Sequence, residues 1–457
     1  MKQVLAIMAL AIRNAFRSRV VLSLLVLLGL VVAGLPATIR GDGTLEGHVQ
    51  ILLTYTLGIT SVILTLATLW AGCAALSVDI DEKVIQLIAT KPVPRFRIWL
   101  GKWLGLVVIN ALLLALCGLT VYCMLFRTSR SSVLSEDDRT RLRTELLVAR
   151  RSVSPPAPDV EAAAEAQVRQ AIEQGMLTEG IAPDDAMRAV RQQLTLQALT
   201  VRSGSHLTRE IALPRPVRED ETLLLRYTYG SSRGDGSSVA GVWTIGTPDN
   251  RNAIREQTRS VPGGFHTLQV SGQNLAGATT LIVDFANVDA DAASVVFAAD
   301  NGLSVFMKEG GFEANLTRAL LVLIAHLAFV GSLGVTMGCM FSMPVATFIS
   351  LFFLTLIHLG GYLESMASQS VLVPWHAASA TGASWLDATF RAFFQAMHFI
   401  VKPFQMANPL ELIATGTLVD WTWVAQSFAV QTGLYGLALA LLGTYILNRR
   451  ELALPAT

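Results

Sequence analysis

The sequence predicts a polytopic α-helical membrane protein of about six spans, with one inserted extracytoplasmic α+β domain that contains a β-sandwich-like part. Three observations predict it: a composition too apolar for water, uncharged blocks of span length, and an abrupt change of character at Arg127 that reverses at Arg318. Hydrophobic residues make up 52% of the 457 and charged residues only 15%, and the mean hydropathy is +0.50. Soluble domains carry about 25% charged residues, so lipid is the second solvent this deficit implies.

The uncharged blocks are Val20 to Ile39, Val49 to Val78, Trp103 to Phe126, Ala319 to Leu363 and Trp421 to Asn448. A hydrocarbon core of about 30 Å takes roughly 20 helical residues to cross, so four blocks suit single spans. Ala319 to Leu363 is too long for one. Met340-Phe341-Ser342-Met343-Pro344 offers a break, because proline lacks an amide donor and disfavours helix in the residue before it. Two spans joined by a tight turn bring the expected total to six.

Lysine and arginine beside the spans set the orientation, since short loops rich in them stay in the cytoplasm. Lys2, Arg13, Arg17 and Arg19 precede the first span, Lys83, Lys91, Arg95, Arg97 and Lys102 lie between the second and third, and Arg449 and Arg450 follow the last. Six spans put all three groups on one side with both termini cytoplasmic, and the turn at Met340 falls there too without positive charge. At the N-terminus, Val4, Ile7, Met8, Ala11 and Ala15 share one helical face, with Lys2, Arg13 and Arg17 on the other. That suits an amphipathic helix along the inner membrane surface. A cleaved signal peptide is the competing reading, but Arg13, Arg17 and Arg19 interrupt its core.

The expected domains are 1–126, with the interfacial helix, three spans and a cytoplasmic loop; 127–318, extracytoplasmic; and 319–457, with the last three spans. Within the middle domain, residues 135–203 read as helical. Ser135 and Asp138 have capping-box spacing, Glu136 to Arg151 is rich in helix formers, and helical pattern resumes over Val160 to Gln174 and from Pro183 to about Arg202. Residues 206–308 shift to a period of two. Thr222 to Tyr229, Val239 to Ile245, Phe265 to Val270, Thr280 to Ala286, Ser294 to Ala298 and Leu303 to Met307 read as strands between turn residues. Residues 366–419 mix aromatics with prolines and charges, a pattern of short interfacial or re-entrant helices.

The loop after the second span, Asp79 to Arg95, reads as a short helix with Ile80, Val84, Leu87 and Ile88 on one face. Asp81, Glu82 and Lys83 lie off that face, acids sit at its start and Lys91 at its end, as the helix dipole favours. Pro92 then stops it. A plain surface helix between two spans fits the same pattern.

This loop, with Thr90, Lys91, Pro92 and Arg95 leading into Arg97, Trp99, Gly101 and Lys102, resembles the coupling segment of type-2 ABC exporter permeases. Trp421-Thr422-Trp423 through Gly433-Leu434-Tyr435 to Asn448-Arg449-Arg450-Glu451-Leu452 is similar to that family's last span and finish, and Arg13, Asn14, Phe16, Arg17 and Ser18 to its interfacial helix. The resemblance implies a permease subunit in a bacterial cytoplasmic (inner) membrane, paired with a second permease chain as a homo- or heterodimer. A separate cytoplasmic ABC ATPase would bind beneath it. Asp81, Glu82, Lys83, Val84, Leu87, Ile88, Thr90, Lys91, Pro92 and Arg95 would then be the ATPase-coupling residues. The inserted domain departs from the simplest members, so its output is either a substrate moved through the dimer or force passed to an extracytoplasmic protein or glycan partner.

ATP chemistry is not expected in this chain. The one Gly-Lys pair, Gly101-Lys102, has Phe96 where a phosphate loop needs glycine and Trp103 where it needs serine or threonine. No catalytic residue, cofactor or metal site is predicted, ATP and magnesium belonging to the partner. Cys73, Cys117, Cys123 and Cys339 fall in spans as packing residues, and no basic tract implies nucleic acid. His326 and His358 read as neutral histidines bonded between helices or to backbone carbonyls rather than as a proton relay. Gly331, Gly334 and Gly338 with Ser332 read as a close-packing face. Arg233-Gly234-Asp235 reads as a hairpin tip rather than an adhesion signal, and Asp289 and Asp291 as a loop rather than a calcium site. The rival class is a membrane-anchored binding or assembly protein whose sandwich recognises glycan or protein.

Overall fold

The computed structural model describes residues 2–17, 19–38, 49, 51–82, 93–129, 147–174, 183–233, 236–249, 253–289, 293–299, 302–368, 384–404 and 408–450. The chain forms two compact units, one from Met1–Ala149 with Gly310–Thr457 and the other from Arg150–Glu309. The second unit lies inside the expected domain 127–318.

The first unit is helical. It begins with α1 (Lys2–Arg17) and α2 (Val20–Thr38), followed by a π-helical turn (Ile51–Thr56) continuous with α3 (Leu57–Asp81), and then α4 (Arg95–Ser129). Ile51–Asp81, Arg95–Thr128, Phe312–Met340 and Trp421–Arg449 are each long and apolar enough to cross a membrane. The pair Lys2–Arg17 and Val21–Leu35, bent by 65°, makes a fifth if taken as one span.

The second unit holds α5 (Glu161–Glu173), α6 (Pro183–Ala198) and strands β1 (Val148–Val153), β2 (Thr200–Val201), β3 (His206–Ala212), β4 (Thr222–Tyr227), β5 (Tyr229–Ser231), β6 (Val239–Gly246), β7 (Ile254–Ser260), β8 (His266–Ser271), β9 (Thr280–Asn287), β10 (Val295–Phe297) and β11 (Leu303–Gly311). They form sheets of order β1-β11-β4-β8, β3-β9-β6-β7 and β2-β10-β5. Alternation along β9 buries Leu281, Val283 and Phe285 against Leu223, Leu225, Val270 and Val305 of the other four-stranded sheet, so one core fills a sandwich. Its centre is aromatic: Trp243 lies 4.5 Å from Tyr227 and 4.7 Å from Phe285, and Phe285 lies 5.2 Å from Phe297.

Ion pairs brace this sandwich, among them Arg151 of β1 with Glu309 of β11 at 2.9 Å. Arg215 grips Glu221 with both nitrogens, at 2.8 and 2.6 Å, and Glu221 also accepts the Lys308 amide. These hydrogen bonds raise the Arg215 guanidinium above its usual value. Arg233 pairs with buried Asp289, which gives that carboxylate a guanidinium partner in the strand-connecting loop. Gly234, Asp235 and Asp291 lie outside the described residues.

Strand β1 overturns the helical reading of 135–203 at Val148–Arg151. Its helix-forming composition loses to pairing with β11 and to the burial of Val148 and Ala149. Ser135 and Asp138 lie outside the described residues. Strands β3 and β7 also appear where no run was assigned; β7 (IREQTRS) is polar because it is an edge strand paired only through β6.

The helical unit continues with α7 (Phe312–Met340), α8 (Met343–His358), α9 (Gly360–Ser368), α10 (Ser384–Val401), a 3-10 turn (Lys402–Phe404) and α11 (Pro409–Ala414). It ends with α12 (Trp421–Ser427), a π segment (Phe428–Tyr435) and α13 (Gly436–Arg449). The expected break is present, with Ser342 as the N-cap position and Pro344 in the first turn of α8. At 16 residues α8 spans about 24 Å, short of the hydrocarbon thickness, and Leu359 separates it from α9. Among the described residues the helices long and apolar enough to cross a membrane number four, or five if the bent pair is one span.

α7 is the hub. In its most apolar stretch 78% of residues are buried, against 28 to 44% in the other three candidates. Glycine makes that possible, since a Cβ on Gly334 would lie 2.9 Å from the Leu69 carbonyl oxygen and one on Gly338 would collide with that of Cys73. The backbones of α3 and α7 touch directly. In the 366–419 region, Phe404 packs 4.5 Å from Phe329 and 4.8 Å from Tyr435, and Leu410 and Ile413 of α11 are buried in the helical core. Phe390, Phe393 and Phe399 on α10 are exposed.

Candidate functional site

The segment that the sequence singles out begins where α3 ends. Asp79, Ile80 and Asp81 are the last residues of α3, and Glu82 is its C-cap, donating its amide to Val78 and Ile80. They therefore close the long helix rather than open a short one: the apolar rhythm of the span runs on through buried Leu76 to Ile80. Of the proposed coupling residues, Lys83, Val84, Leu87, Ile88, Thr90, Lys91 and Pro92 lie outside the described residues. Arg95 opens α4, and Asp81 and Glu82 are exposed.

An acid in the last turn of a helix opposes the dipole, and Asp79 is compensated across the loop. Lys102 Nζ, in the second turn of α4, lies 2.5 Å from Asp79 Oδ2, with the two side chains only 10% and 20% exposed. The loop is thus closed at its base by a sheltered ion pair. Its far foot, Arg95, donates from Nη1 to the Arg450 carbonyl at 3.2 Å, and Arg450 Nη1 donates to the Cys339 carbonyl at 2.8 Å. Arg97 donates to Gln3 Oε1 of α1 at 2.6 Å.

Behind these polar ties sits one apolar node made by five helices: Ile7 of α1, Leu76 of α3, Ile98 and Trp99 of α4, Val335 and Cys339 of α7, and Ala440 and Leu447 of α13. Trp99 donates to Thr336 Oγ1 at 3.2 Å, and Thr336 donates on to the Leu439 carbonyl at 3.0 Å. Trp103 donates to the Ala328 carbonyl at 2.8 Å. The α4 face that follows the loop therefore touches α7 and, through Thr336, α13.

The Gly101-Lys102 pair has structural employment here. A Cβ on Gly101 would lie 2.7 Å from that of Ile7, and one on Gly105 2.9 Å from that of Ala11, so these glycines seat α1 against α4. The sequence placed Ile7 and Ala11 on the apolar face of α1, but only the packing reveals that this face lies on α4. Leu5 and Phe16 of the same helix remain exposed.

Elsewhere in the helices, His358 Nδ1 donates to its own helix at the Leu354 carbonyl, 2.9 Å away. Cys73, Cys117 and Cys339 are buried free thiols and Cys123 is an exposed one. Among the described residues no group of three or more histidine, cysteine, aspartate or glutamate side chains could hold a metal ion. Signals for the polar ties were present in the sequence as Lys102, Arg95 and Arg450, but nothing in their spacing pairs Asp79 with Lys102 or Arg450 with Cys339.

Helices long and apolar enough to cross a membrane, gathered on α7 and accompanied by a separate β-sheet region, define the class of the chain. Comparison with protein-family models and with curated proteins finds no match.

Proposed function

We propose that the chain is the membrane-spanning permease subunit of an ATP-driven transporter of the type-2 ABC exporter kind. It works as one of two permease chains above a separate cytoplasmic ATPase that binds ATP and magnesium. The observation that carries this reading is the anchoring of the loop between α3 and α4. Asp79 at the end of α3 pairs with Lys102 of α4, and Arg95 at the start of α4 bonds the Arg450 carbonyl, beside a buried node of five helices, so in this reading a movement of α3 and α4 reaches α13. Gly101 faces Ile7 and Lys102 pairs with Asp79, and in this reading ATP is bound by the partner.

In this reading the chain resides in a bacterial inner membrane with both termini cytoplasmic and the β-rich unit outside. The β unit is the output element, contacting an amphipathic substrate or an extracytoplasmic protein or glycan. Nucleotide moves the helices only through a difference in affinity for their two arrangements. The test is affinity purification of the full chain in mild detergent with identification of bound proteins and lipids. A nucleotide-hydrolysing subunit is expected, and its consistent absence would overturn the proposal in favour of a membrane-anchored binding protein. Replacing Glu82→Gln together with Arg95→Gln is expected to lower ATPase co-purification while membrane insertion is retained.

A further inference from the structure

The two feet of the loop differ in kind. At the α3 side, Asp79 and Lys102 form a charge pair at 2.5 Å that is largely withdrawn from water. At the α4 side, Arg95 holds the rest of the unit through one hydrogen bond to the Arg450 carbonyl at 3.2 Å, the long end of the range for such bonds. Arg450 is the relay: its own amide donates to Ile446 at 2.9 Å, which ends α13, while its side chain donates to the Cys339 carbonyl in the last turn of α7. That carbonyl is one of the helix-end acceptors left without an intrahelical donor, and a cation there also complements the helix dipole. The neighbouring Arg449 lies over the Tyr445 ring at 4.9 Å.

We propose that Arg450 is a latch that holds the ends of α7 and α13 and the start of α4 closed, and that displacement of the loop through Arg95 releases it. The proposal rests on the permease reading for what pulls the loop, but the latch itself is a property of this chain. A pull that leaves the Asp79–Lys102 pair intact carries α3 and α4 together and breaks the longer Arg95 contact first. Arg450 then loses the donor on its carbonyl, and the α7 end separates from α13. The protein carries its own reporter, because the Cys339 thiol is fully buried beside this relay, donating to the Val335 carbonyl at 3.1 Å.

The experiment measures N-ethylmaleimide labelling of the full-length protein in mild detergent, in a Cys123→Ser background that removes the exposed thiol, with label located by mass spectrometry. Arg450→Gln is expected to label Cys339 about tenfold faster than the parent, the factor that follows from losing one hydrogen bond from a charged group. Buried Cys117 should stay protected in that variant, and Arg449→Gln should match the parent. Arg450→Lys, which keeps a donor and the charge, should fall between the two.

Equal labelling of Cys339 in the parent and Arg450→Gln overturns the latch, and so does simultaneous labelling of Cys117, which reports general unfolding. In preparations that retain an ATPase, ATP with vanadate should accelerate Cys339 labelling in the unsubstituted latch. No acceleration overturns the release by the loop. Absence of any ATPase defeats the permease reading and leaves the Arg450→Gln comparison in the isolated chain to decide the latch.

Discussion

In the helical unit α3 and α7 meet backbone on backbone, where Gly334 and Gly338 approach Leu69 and Cys73, whereas the centre of the β unit packs ring on ring around Trp243. The polar ties differ as well. Those of the helical unit at the loop end run between helices far apart in sequence, as from Arg95 to Arg450 and from Arg450 to Cys339. The Arg215–Glu221 pair of the β unit closes a short connection before β4. Surrounded by apolar groups, helices gain little from burying more carbon, so shape and a few polar contacts decide their arrangement. A sandwich in water draws its stability from a large shared apolar core. The difference teaches where each unit is vulnerable: the sandwich at its centre, the helical unit at specific contacts between helices, which lie at the loop end and, where Asn315 bonds Thr417 and Val419, at the opposite end of α7.

The contrast can be broken most forcefully at the aromatic centre. Trp243→Ala should destabilise the β unit by about 3–5 kcal/mol, raising hydrogen exchange across β4, β6 and β9 while exchange in α7 is unaltered. Spread of the effect into α7 would mean the units do not fold separately. Next in size, Asp79→Asn strands the sheltered Lys102 charge and should cost about 2–3 kcal/mol, less than a fully buried broken pair because both groups retain some solvent. Thermal melting in detergent measures it, and the reversed pair Asp79→Lys with Lys102→Asp should recover much of the loss.

Gly338→Ala sharpens the backbone-contact claim. Forcing a methyl group against the Cys73 carbonyl should cost about 1–3 kcal/mol, seen as a lower melting temperature; a neutral result would show that α3 and α7 have room to separate. The smallest effect belongs to Glu161→Ala, which removes the 2.5 Å pair with Arg191 between side chains 52% and 45% exposed. Its cost should stay below about 1 kcal/mol and shrink further in salt.

Composition and block length made the membrane class legible, and the uncharged runs located the long helices closely. The break before α8 could be read from Ser342 and Pro344, and the start of α6 from Pro183. Period-two alternation found β4, β6, β8, β9, β10 and β11, because each presents a buried face to one core. It missed β7, whose edge position leaves it polar, and it read β1 as helix because local composition there points the wrong way. The continuous apolar run after Pro344 gave no sign of the turn at Leu359 that ends α8.

The sequence by itself determined which segments avoid water, where the character of the chain changes, and which loop stands between the second and third long helices, because these follow from local composition and period. Only the tertiary structure decided that α7 is the hub, that Gly101 receives Ile7, that Asp79 answers Lys102, and that Arg450 joins α13 to α7. Such pairings depend on which surfaces meet after distant segments pack, and local spacing carries no record of that choice.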